Sequence, residues 1–136
     1  FTADVGIKNG EKVDYAICRS GKPQILIECK KINENLDGDF SQIFRYFNCV
    51  EHAHIAVLTN GTEYRFFSDI DAPNRMDSKS FMVFDILKPD KALYKELEKL
   101  SKSKFDIVGV MQSAERLKYE RAIISSCHQM SPSCDM

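Results

Sequence analysis

The strongest constraint on the fold is a pair of alternating segments around a short turn. Lys12–Cys18 (KVDYAIC) and Gln24–Lys30 (QILIECK) flank Arg19-Ser20-Gly21-Lys22-Pro23, a run of turn-forming residues. A period of two with a central turn predicts an antiparallel β-hairpin. In its second strand one parity is apolar (Ile25, Ile27, Cys29) and the other carries Gln24, Leu26, Glu28 and Lys30. Cys29 therefore reads as a small buried hydrophobe rather than a nucleophile, and the polar parity is where chemistry can sit.

The pattern then changes period. After the polar, glycine-containing stretch Asn33–Asp39, apolar residues fall at Phe40, Ile43, Phe44, Phe47 and Val50, a helical spacing, with Asp39 or Ser41 as its cap. His54–Thr59 and Glu63–Ser68 flank Asn60-Gly61, which predicts a second hairpin with a type I′ turn. Tyr64, Phe66 and Phe67 are expected to pack that sheet. A loop at 69–79 leads to a third β segment, Ser80–Leu87. Pro89-Asp90 opens a helix to about Leu100, Phe105–Val110 is expected to be irregular, and Met111–Ser126 to be helical, before an unpatterned tail from Cys127. The order β-hairpin, helix, β-hairpin, β, helix, helix predicts an α/β (α+β) fold with one sheet covered on both faces.

With 136 residues the chain suits one domain, able to bury about two-thirds of the surface of its unfolded form. Its 19 basic and 20 acidic residues leave no global electrostatic pull toward nucleic acid, so such a partner has to be argued from a local site. No apolar run approaches the ~18 residues of a membrane span. Cys18, Cys29, Cys49, Cys127 and Cys134 are odd in number and form no C-x-x-C pair, which points to a reducing, cytoplasmic setting without a membrane. Position 1 is Phe, and Phe1–Val5 reads as the interior of an extended segment, so residues are expected upstream of it.

The chemistry-bearing residues follow from register. About a turn at Ser20-Gly21-Lys22, positions summing to about 42 lie opposite each other, so Asp14 faces Glu28. Opposed like charges destabilise a sheet, and a hard divalent cation is the usual compensation. Lys30 projects from the same face as Glu28. The alternative is a solvated face with a surface ion pair. Cys49, His52 and His54 lack the second cluster that a zinc site requires and read as a helix end and a strand start. Lys8, Lys12, Lys30, Lys31 and Arg45 either rim a phosphate-tracking surface or are scattered surface cations.

Asp14, thirteen intervening residues and Glu28-Cys29-Lys30 resemble the D…(D/E)-x-K core of the restriction-endonuclease-like nuclease superfamily, PD-(D/E)XK. Gln42 and Tyr46 match the Q-x-x-x-Y motif of its RecB-like branch, on one helical face. VDYAI, ILIECKK, FSQIFRYF and AVLTNGTEYRF are similar to the N-terminal nuclease domain of type I restriction enzyme R (motor) subunits, over roughly residues 1–110 and fading after about Ser113. The resemblance implies a domain at 1–113 with residues 114–136 as its C-terminal helix and frayed tail. It implies a Mg²⁺-dependent DNA endonuclease, with Mn²⁺ as a substitute. Asp14, Glu28 and the Cys29 carbonyl would hold the metal, Lys30 would polarise the attacking water, and Gln42 and Tyr46 would position water, Lys30 or a DNA phosphate. Implied partners are DNA and other restriction-modification subunits, with a homo-oligomer also compatible. Relatives carry a further acidic residue on a helix upstream of the first hairpin. The alternative is a catalytically inactive DNA-binding or assembly module that keeps the nuclease scaffold.

Overall fold

A computed structural model describes residues 13–38 and 41–129. The expectations for Phe1–Val5, Lys8, Lys12, Asp39, Phe40 and the end of the tail, with Cys134, lie outside the described residues. Five strands, β1 (Tyr15–Arg19), β2 (Lys22–Cys29), β3 (Ile55–Thr59), β4 (Glu63–Ser68) and β5 (Met82–Asp85), form one sheet in the order of the chain. Only β2 and β3 run parallel; every other pair is antiparallel. The parallel step is made by α1 (Ser41–Cys49), as a parallel connection requires a crossover.

Both faces of the sheet are buried, giving three layers. On one face Leu26, Ala56, Leu58 and Phe67 pack against Ile43, Tyr46 and Phe47 of α1. On the other, Ile25, Val57, Phe66 and Met82 meet Leu97 of α2 (Tyr94–Glu98) and Val110, Met111 and Ala114 of α3 (Ile107–Gln129). Successive side chains alternate faces, so Phe66 and Phe67 serve opposite cores, as expected of a sheet-packing pair. Strand β3 is buried along its whole length and is the centre of the sheet.

Several local expectations are corrected. The type I′ turn belongs to the first hairpin: Ser20 and Gly21 take φ of 52° and 76° between the paired Arg19 and Lys22. In the second hairpin only Gly61 has positive φ (90°), and Asn60 instead turns its side chain inward. Its Oδ1 accepts from the Thr62 amide, the Thr62 hydroxyl and the Glu63 amide, so an Asx-type turn replaces the two-residue one. The helix after Pro89 is a 3₁₀ turn (Lys91–Leu93) followed by the short α2, with Asp90 capping the Ala92 amide. Helix α3 starts at Ile107, taking in residues expected to be irregular, and continues through Cys127–Gln129 of the expected tail. Burial of Val110 and Ala114 against the sheet stabilises that first turn, a tertiary gain that local pattern does not register.

Candidate active site

Away from the turn the register of the first hairpin is the one its sequence predicts, with Tyr15 paired to Ile27, Ala16 to Leu26 and Ile17 to Ile25; toward the turn a β-bulge shifts it by one residue, so that Cys18 pairs with Pro23 and Arg19 with Lys22. One step further on, just before β1, Asp14 stands beside the end of β2. Its Oδ2 accepts a hydrogen bond from the Cys29 amide at 2.7 Å. Glu28 follows Leu26 on the parity facing α1 and is only 5% exposed. A buried carboxylate requires a charged or hydrogen-bonding partner; the Lys30 Nζ lies 3.6 Å from its Oε1. The Lys30 amide donates to the Thr59 carbonyl at 2.7 Å, prolonging the β2–β3 ladder past the strand end.

Helix α1 brings the two remaining residues of the set. Tyr46 is 1% exposed and shares a core with Leu26, while Gln42, one turn earlier, is half-buried. Three adjacent elements, the entry to β1, the end of β2 and α1, thus supply Asp14, Glu28, Lys30, Gln42 and Tyr46.

Cys29 departs from expectation. It is exposed, because it is the last residue of β2 and lies beyond Ile27, the last side chain of that parity packed against the core on that face. Its thiol is nevertheless not activated. Partial burial, and then the negative charges of Asp14 and Glu28, push its pKa up, which disfavours the thiolate a nucleophile needs. The same shift registers two carboxylates acting on one point in space. Two carboxylates and the Cys29 carbonyl are hard oxygen donors, a set suited to Mg²⁺ completed by water or substrate oxygens. Among the described residues no three His, Cys, Asp or Glu side chains converge as a metal cluster.

Sequence reasoning missed the groups that hold the loop between β2 and α1. The Asn60 Nδ2 donates to the Glu34 carbonyl at 2.9 Å. Arg65 Nη1 donates to Asp37 at 2.7 Å, and its Nε pairs with Glu63. Despite partial burial, the hydrogen bonds Arg65 donates to Glu63 and Asp37 hold its pKa above the usual value. Only the Asn-Gly pair signalled Asn60, and it suggested a different role. At the opposite end of β3, the His54 Nδ1 lies 3.3 Å from Asp69 Oδ2, so His54 is engaged by a carboxylate fifteen residues away and not by Cys49. Of the expected basic rim, Lys31 and Arg45 are exposed and Lys30 is drawn in beside Glu28.

No described helix is long and apolar enough to cross a membrane. No curated protein and no solved structure gives a match to the chain. A family model described as the type I restriction enzyme R protein N terminus matches residues 2–75, just over half of the chain, covering the first hairpin, α1 and the second hairpin. The segment that carries all five candidate residues is therefore the segment that defines the relationship, and the chain belongs to the type I restriction enzyme R protein N-terminal family.

Proposed function

We propose that this domain is a Mg²⁺-dependent DNA endonuclease of a type I restriction-modification-like system. The observation that carries the reading is the Asp14–Cys29 hydrogen bond, which sets one carboxylate at the strand end where Glu28 and Lys30 already stand. Phosphodiester hydrolysis needs charge neutralised on the phosphoryl oxygens, a hydroxide-like nucleophile and a stabilised leaving oxygen. Asp14, Glu28 and the Cys29 carbonyl would hold a Mg²⁺ ion, or Mn²⁺ in its place, that would supply this chemistry when bound. Lys30 donates to the attacking water or to a phosphate oxygen and stabilises negative charge as it develops. Gln42 and Tyr46 add hydrogen bonds from the α1 side that orient the water, Lys30 or the DNA phosphate. Other restriction-modification subunits are the natural source of sequence specificity.

Incubation of the protein with supercoiled plasmid tests this. Nicking with Mg²⁺ or Mn²⁺, lost in Asp14→Ala and in Lys30→Ala, supports it, and cleavage unaffected by both substitutions overturns the site. DNA binding without cleavage in either metal would instead establish a non-catalytic assembly module.

A further inference from the structure

A cavity of about 580 Å³ opens on the face of the sheet away from α1, between the edge strand β1 and the connection from α2 to α3. Its volume lies in the range of small-ligand pockets. One wall is apolar: Ile17, Leu100 and Phe105. The other is cationic, with Arg19 from the hairpin tip and Lys102 from the facing loop, and no carboxylate lines the cavity. Among the described residues neither cation is engaged by an acidic partner. At the base the first hairpin carries a β-bulge: Ile25 pairs with Ile17 and Pro23 with Cys18, so Gln24 has no partner across the ladder. Bulges re-aim side chains, and Gln24 lines the cavity. Its Nε2 donates to the His52 carbonyl at 3.3 Å, which fixes the amide and leaves its oxygen as an acceptor.

Two cations that no described acidic residue engages, an apolar wall with an aromatic ring and the amide oxygen of Gln24 are complementary to a phosphate, a flat ring and an amino group on that ring. We propose that this cavity binds a nucleotide unit whose base bears an exocyclic amine. Arg19 and Lys102 hold the phosphate, the base lies against Phe105, Leu100 and Ile17, and Gln24 accepts from the amine. The unit is either a free nucleotide or the 5′-terminal nucleotide of a DNA strand. The cavity is separate from Asp14, Glu28 and Lys30, so its occupancy does not depend on nuclease activity.

Cys18 lines the cavity as an exposed free thiol and provides a reporter, with Cys49 and Cys127 as exposed controls remote in sequence. Site-resolved alkylation with iodoacetamide, read by mass spectrometry, should show AMP slowing modification of Cys18 about tenfold near saturation while Cys49 and Cys127 are unaffected. Arg19→Ala and Lys102→Ala should each raise the protecting concentration by about tenfold or more, the worth of one charge-assisted hydrogen bond. Protection by AMP identifies a free nucleotide; protection only by a 5′-phosphorylated oligodeoxyadenylate identifies a strand end. No protection of Cys18 by either probe at millimolar concentration overturns the proposal. So does adenosine protecting as well as AMP, or protection unchanged in the double variant.

Discussion

The carboxylate of Asp14 accepts the backbone amide of Cys29 at 2.7 Å, joining residues fifteen apart at the open end of a hairpin. The bond uses one carboxylate oxygen and leaves Asp14 charged beside Glu28. Asp14→Asn can keep the bond while removing the charge. Its unfolding free energy should stay within about 0.5 kcal/mol of wild type, as for an exposed substitution. Divalent-metal affinity by calorimetry should fall at least tenfold, and plasmid nicking should disappear. An undiminished metal affinity would remove Asp14 from the site.

The thiol of Cys29 reports the same electrostatics. Partial burial and then Asp14 and Glu28 raise its pKa, so neutralising either carboxylate should lower it. The pH at which Cys29 alkylation reaches half its maximal rate should move down in Asp14→Asn, and move down in the wild type when Mg²⁺ is added. A profile that Mg²⁺ leaves in place would place the cation elsewhere.

Asn60 is 9% exposed and bonds through both ends of its amide, to its own turn and to Glu34 across the loop. Asn60→Ala should cost about 2–3 kcal/mol, read from the urea midpoint, because it strands buried partners. Asn60→Asp keeps the acceptor and loses only the donor to Glu34, so about 1 kcal/mol is expected. Equal costs would show that the turn contacts carry no weight.

The first hairpin depends on backbone conformation at its tip. A Cβ on Gly21 would meet nothing within 4 Å, so the cost of Gly21→Ala comes from its φ of 76° alone. About 1 kcal/mol of destabilisation is expected. Ser20→Asn, which suits the same left-handed region better, should stabilise by a few tenths of a kcal/mol in the same denaturation measurement.

Glu96 pairs with Lys99 at the end of its own helix at 2.9 Å and fastens α2 to α3 through Arg116 at 2.6 Å. Burial raises its pKa, but hydrogen bonds with Ser113 and Lys99 and the charges of Lys99 and Arg116 outweigh it, and the net shift is downward. A carboxylate with a lower pKa folded than unfolded binds fewer protons in the native state. Its stabilisation is therefore present above the unfolded value of about 4.3 and is lost as pH falls through the folded one. Glu96→Gln should flatten the dependence of unfolding free energy on pH in that acidic window and leave the slope near neutrality unchanged.

The legible parts of this protein are those written in short-range pattern. Alternation around Ser20-Gly21 placed Asp14 opposite the end of β2, and the i, i+4 spacing of Gln42 and Tyr46 put them on one side of α1. Boundaries and burial were less legible where a neighbour in space decides them. Cys29 has the parity of a core residue but lies past the covering layer. The irregular-looking Phe105–Val110 is drawn into α3 from Ile107 onward because Val110 finds the sheet. Asn60 has the sequence of a type I′ corner, yet four side-chain hydrogen bonds outweigh that preference.

The sequence by itself determined the α/β class, the register of the first hairpin as far as Ile17, and which residues are candidates for chemistry. Each follows from interactions over a few positions: side-chain period, turn conformation and charge. Only the tertiary structure decided that Glu28 is buried beside Lys30, that the loop to α1 is tied down by Asn60 and Arg65, and that a cationic cavity lies behind the hairpin. Those depend on segments tens of residues apart meeting in space, and on desolvation, which belongs to the assembled layers and not to any stretch of chain.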